Sequence, residues 1–150
     1  MAAGDFTWFT QGKVDLLNKV HNLGSDTLKL ALITSAATPT ETTAAPHWGG
    51  TGTTDYSANE VTPGGNYTTG GVTLTGVTAA ADGADAKFDA DNISITQDAA
   101  NPTNARWGIL YNSTDANKRA LGFLDLGSAR DLSGGNFSHA WNASGIMKIV

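Results

Sequence analysis

The chain contains no cysteine, which excludes a disulfide framework, a thiolate zinc site and a cysteine nucleophile. Charge is also scarce: Asp, Glu, Lys and Arg make up 15% of the 150 residues, and the formal net charge is -5. The nine basic residues are scattered, with only Lys118 and Arg119 adjacent. A protein that tracks phosphate backbones needs a basic stripe to release counterions, so no nucleic-acid partner is expected. Long apolar runs are missing as well. No stretch approaches the roughly 20 apolar residues of a spanning helix, and the opening MAAGDFTWFT lacks a charged start followed by an apolar run. Neither a membrane partner nor an export signal is expected. His21, His47 and His139 lie far apart with no H-x-x-x-H spacing, which argues against a histidine metal site.

Thr, Asn, Ser and Gly fill the space that charge leaves. A polar but weakly charged surface suits sheets whose outward positions carry hydroxyl side chains. A chain of this length is one domain by prior and buries about 68–70% of the surface that its unfolded form exposes.

Residues 10–23, TQGKVDLLNKVHNL, predict one short helix. Val14, Leu17 and His21 form one stripe, Leu16, Val20 and Leu23 the adjoining one; Thr10 caps its start and Gly24 stops it. TLKLALITS follows, apolar on both faces towards its end, and predicts a strand inside a sheet. Residues 36–59 are rich in Thr, Pro and Gly with no sustained period, which predicts a long functional loop or an arm, carrying His47, Trp48 and Tyr56.

Alternation then returns in GVTLTGVT, AKFDADNISI, RWGILYN, ALGFLDLG, NFSHAWN and GIMKIV. Trp107, Ile109 and Tyr111 share a face, as do Phe137, His139 and Trp141, and the alternation sets Leu121 with Phe123. A phase change near Asp91 and Asn92 predicts a bulge or bend. Short strands separated by Asn, Asp, Ser and Gly turns predict a mainly β fold. The expected architecture is an antiparallel β-sandwich or barrel with one short N-terminal α-helix. Residues 1–9 read as an N-terminal arm and 10–150 as the single domain.

GGNYTTGG, from Gly64, nearly spells a phosphate-binding loop, but Gly71 stands where lysine belongs and Val72 where Ser or Thr belongs. It leads into a strand rather than a helix, so it reads as a turn with Tyr67 placed to pack or to make a contact. Asp89 and Asp91 lack the ligand run of a calcium loop and read as solvent-facing. Glu41 and Glu60 fall in the loop region, no G-x-S-x-G elbow is present, and His139 reads as a sheet histidine. No catalytic residue, cofactor site or metal site is expected. Trp8, Phe9, His47, Trp48, Tyr56 and Tyr67 are the candidates for a partner interface, since aromatic residues on irregular segments serve as anchors. The competing reading is that Trp8, Phe9 and the loop aromatics fold back over the ends of the sandwich.

The segments SDTLKLALITS, PHW, NEV, GGNYTTGGVTL, FDADNI, ARWGILYN, LGFLDLG and GGNFSHAWNASGI, in that order, resemble small structural proteins of tailed bacteriophages and prophages. The likeness runs from about Gly24 onward. It implies a non-enzymatic virion component, foremost a head decoration or cement protein with a jelly-roll-like β-sandwich on the outer surface of the capsid. The partner so implied is the major capsid protein, and the oligomer a trimer. Under that reading Trp48→Ala is expected to release the protein from heads with its own fold intact. A tail or baseplate component whose Trp48 and Tyr56 stack on a host glycan is the alternative.

Overall fold

The computed structural model describes residues 4–150. Along the chain it forms β1 (Phe6–Trp8), α1 (Thr10–Leu17), β2 (Leu28–Ile33), β3 (Pro46–His47), β4 (Thr54–Asp55), a 3-10 turn (Ser57–Asn59) and β5 (Val72–Thr73). β6 (Thr78–Asp82), β7 (Asp85–Asp89), β8 (Ile93–Ile95), β9 (Ala105–Asn112), β10 (Ala120–Arg130), β11 (Phe137–His139) and β12 (Met147–Ile149) follow. The fold is mainly β and sandwich-like, with one short helix, as the alternation predicts. Two four-stranded sheets of the jelly-roll kind are not seen among the described residues.

A five-stranded sheet in the order β1-β10-β9-β2-β5 forms the centre. β2 is interior, between β9 and β5, because Leu28, Leu30 and Leu32 serve one face while Ala31 and Ile33 serve the other. The first face packs Leu30, Leu110 and Leu124 against Phe88, Ile93, Ile95, Phe137 and Trp141. Those partners come from two smaller sheets, β12-β7-β6 and β11-β8, or from the residues just after β11. The second face packs Ile109, Tyr111 and Phe123 against Phe9, Trp48 and Tyr56. Here the cover is the irregular 36–59 segment together with Phe9.

That segment is tied down by its backbone. The Trp48 N–H donates to the Lys118 carbonyl at 2.9 Å, Tyr56 N–H to His47 at 3.0 Å, and Val61 N–H to Leu32 at 3.1 Å. β3 and β4 pair in parallel, Pro46 opposite Thr54. Buried donors and acceptors must be satisfied, and these contacts do so without long strands.

Three expectations need correction. The helix ends at Leu17, well short of Leu23, with Asn18 as its C-cap and Lys19 at φ 59, and neither Thr10 nor Gly24 has the capping role expected of it. Its buried residues are Gly12 and Asp15, while Leu17 is 85% exposed. The cause is a close approach: a Cβ at Gly12 would sit 2.4 Å from the Leu121 carbonyl oxygen, so the glycine face docks and the Val14–Leu17 face is left outside. The arm is also overturned for residues 4–9, since β1 pairs with β10, Phe6 opposite Leu124, and Phe9 is fully buried; residues 1–3 lie outside the described residues. Finally, Leu121 and Phe123 face opposite sides. Ala120 pairs with Tyr111 and Gly122 with Leu110, so Leu121 is an extra, bulged residue that shifts the phase. The phase change near Asp91 and Asn92 falls between β7 and β8, as a break between strands rather than a bulge within one.

Candidate functional site

The glycine run settles into a turn. Gly64 and Tyr67 exchange backbone hydrogen bonds, each 3.0 Å. Gly70 and Gly71 both have φ 83, a conformation that side chains resist. A Cβ at Gly71 would lie 2.1 Å from the Leu30 carbonyl oxygen, so this glycine lets the chain pass against β2 before pairing with it as β5.

The turn holds a polar network. The Tyr67 hydroxyl donates to Glu60 Oε1 at 3.0 Å and accepts the Leu32 N–H at 2.8 Å. Glu60 Oε1 also accepts the Gly70 N–H at 2.7 Å, and the Tyr111 hydroxyl donates to the Gly70 carbonyl at 2.9 Å. Burial raises the Tyr67 phenol well above its ordinary value, an effect only partly opposed by the Leu32 amide. Burial and the Glu60 charge push Tyr111 up to about 12. Both phenols stay protonated and act as donors; the network joins the turn, β2 and β9, and does not activate a nucleophile. In the sequence Glu60 reads only as a loop carboxylate. Its seven-residue spacing from Tyr67 gave no periodic signal.

The six interface candidates are all buried. Trp8 donates its indole N–H to the Ile146 carbonyl at 3.1 Å. Phe9 stacks on Tyr56 with ring centroids 6.0 Å apart and also meets Phe123 at 5.1 Å. Trp48 stacks on Tyr111 at 5.3 Å with the rings 14° from parallel. Tyr56 shares a hydrogen bond with the Thr43 hydroxyl at 3.2 Å. His47 Nδ1 lies 3.8 Å from Asp55, whose carboxylate also accepts the Gly49 and Ser57 amides. The structure thus gathers Phe9, Trp48 and Tyr56 over one sheet face, with Tyr67 and Trp8 elsewhere in the core. They offer almost no area to a partner, and Trp48 and Tyr56 present no open ring for a sugar. Trp48→Ala would damage the fold, contrary to the expectation drawn from the resemblance.

Asp89 faces Lys87 Nζ at 3.1 Å, and Asp91 accepts the Thr75 hydroxyl at 2.9 Å. Among the described residues, no three His, Cys, Asp or Glu side chains are placed to hold a metal ion together. His139 lies between two open hollows of about 390 and 420 Å³, the first lined also by Arg130 and Asn136 and the second by Asp5 and Trp141. Its ring meets Trp141 edge-on at 4.6 Å, and its buried Nε2 has no hydrogen-bond partner. Burial lowers its pKa, so it sits there neutral. No family model, curated protein sequence or solved structure matches the chain.

Proposed function

We propose that this protein is a non-enzymatic structural component of a tailed-phage virion: a decoration protein that binds the outer surface of the assembled head through the major capsid protein. The observation that carries the reading is the order of motifs from SDTLKLALITS to GGNFSHAWNASGI. Their residues build the body: Leu30 and Ile33 of the first, Trp48 of PHW, Tyr67 of the glycine run, Tyr111 of ARWGILYN and Trp141 near the end are all buried. A motif set devoted to packing fits a scaffold whose role is to persist.

The mechanism is linkage. A protein that binds the intact lattice and not its disrupted form stabilises the lattice by mass action, and attachment at many sites multiplies the effect. Each stable contact buries on the order of 1,600 Å² in total. With the six aromatic and histidine candidates buried, that area comes from the exposed surface. The test is protein quantitation on purified particles combined with heat challenge of heads with and without the protein. Copies on the order of hundreds per particle, with heads that resist heating better when the protein is present, are expected. A handful of copies confined to the tail or neck, or undecorated heads equally resistant, would sink the proposal.

A further inference from the structure

The β6–β7 hairpin is the least covered strand pair of the body. All five residues of β6, Thr78, Ala79, Ala80, Ala81 and Asp82, are exposed, and β6 pairs with β7 alone. Sheet edges are normally blunted by proline, a bulge or a lysine, because open N–H and C=O groups recruit other strands. β6 has none of these devices.

The register identifies the open groups. Asp82 pairs with Asp85 across a two-residue turn at Gly83 and Ala84. In such a hairpin the pair flanking the turn exchanges both hydrogen bonds, and every second pair does so thereafter. Ala80 therefore bonds to Lys87, and the N–H and C=O of Ala79 and Ala81 point outward.

We propose that β6 is a self-association edge: it pairs antiparallel with β6 of a second copy about a two-fold axis centred on Ala80. That register pairs all five residues without reaching the Gly83 turn. It sets the outward groups of Ala79 against those of Ala81, and the Thr78 hydroxyl against the Asp82 carboxylate, so opposed side chains are complementary. A parallel pairing would oppose Asp82 to Asp82.

Each carboxylate on the polar face already has an ammonium partner. Lys148 Nζ lies 3.3 Å from Asp82 and 2.8 Å from Asp85, and Lys87 Nζ 3.1 Å from Asp89. Two hairpins can therefore meet although the chain is acidic overall. On the other face, Ala79 and Ala81 border an apolar groove of about 680 Å³ lined by Leu16, Leu17, Phe88 and Met147. The two-fold axis places two such grooves side by side on one six-stranded sheet. This pairing is isologous, unlike the trimer implied by the resemblance, and it does not depend on head binding.

The test uses the full chain. Size exclusion with light scattering over a concentration series is expected to show a species of twice the 15.5 kDa chain mass. Ala80→Glu and Ala80→Lys each oppose like charges across the axis while altering only an exposed side chain, and each is expected to weaken pairing by about tenfold or more. Mixing the two variants in equal amounts is expected to restore a mixed dimer. Ala81→Pro removes an outward N–H, leaves the β7 ladder intact and is expected to give monomer with an unchanged circular-dichroism spectrum. A wild-type monomer at all concentrations, including one that takes up a foreign extended peptide at this edge, would overturn the proposal. So would a trimer, a dimer indifferent to both Ala80 charges, or a charge-variant mixture that stays monomeric.

Discussion

The two faces of the central sheet bury similar side chains by different means. One face is sealed by other strands, so Leu30, Leu110 and Leu124 meet a regular layer of Phe88, Ile93, Ile95 and Phe137. The other is sealed by Phe9 and a segment with two-residue strands and a 3-10 turn, which compensate with ring area: Trp48 on Tyr111, Phe9 on Tyr56 and Phe123. Aromatic side chains bury about 150–250 Å² each, so three of them can close a face that would otherwise need a second sheet. An irregular cover therefore concentrates its hold in few residues, whereas a strand layer spreads it.

The largest expected effects test that contrast directly. Trp48→Ala should cost about 3–5 kcal/mol in chemical denaturation, and Leu30→Ala about 2–5 kcal/mol. Their signatures should differ in amide exchange: the first should loosen residues 45–61 ahead of β9, the second should raise exchange throughout the sheet. Matching exchange patterns would mean that the two covers are not separable. Next in size is Tyr67→Phe, which strands the buried Leu32 N–H and should cost about 1–3 kcal/mol; an unchanged denaturation midpoint would remove the network from the account of how the turn is held.

Acid should produce the smallest effect and act on both sides. Burial lowers His21 despite the opposing charges of Asp15, Asp115 and Asp26, and burial lowers His139. Each is held neutral in the fold, so the unfolded chain takes up a proton first, from about pH 6.5 downward. Stability is then fully present above that pH and falls as the pH drops towards the lowered values. Asp125 extends the loss to lower pH: burial raises its pKa, but the hydrogen bond from Arg106 and the Gly127 amide outweigh this and keep it below the usual range. His139→Asn should flatten the upper part of the profile, measured as melting temperature against pH; an unaltered slope would refute its share.

Alternation made the strand-covered face readable. TLKLALITS and RWGILYN show their faces directly, because a period of two assigns each residue to one side. The bulge at Leu121 was hidden, since an extra residue leaves the letters of ALGFLDLG unchanged and shows only in the pairing with β9. The helix misled for a related reason. Val14 and Leu17 look like a buried stripe, yet the contact distance is set by the glycine at position 12 and its approach to Leu121. Residues 36–59 gave no period at all, so their role could be read only as a loop, and the burial of Trp48 and Tyr56 depends on partners far along the chain, Tyr111 and Phe9. Aromatics on irregular segments are often partner anchors; here Trp48 and Tyr56 turn inward from a largely exposed segment and pack on the sheet.

The bond from Trp8 to the Ile146 carbonyl spans 138 positions, and β1 finds its strand partner only at β10. During synthesis β1 therefore leaves the ribosome more than a hundred residues ahead of the strand it pairs with. Such distant pairing slows folding, and a product truncated before Phe123 would lack β1's partner strand and the ring against which Phe9 rests.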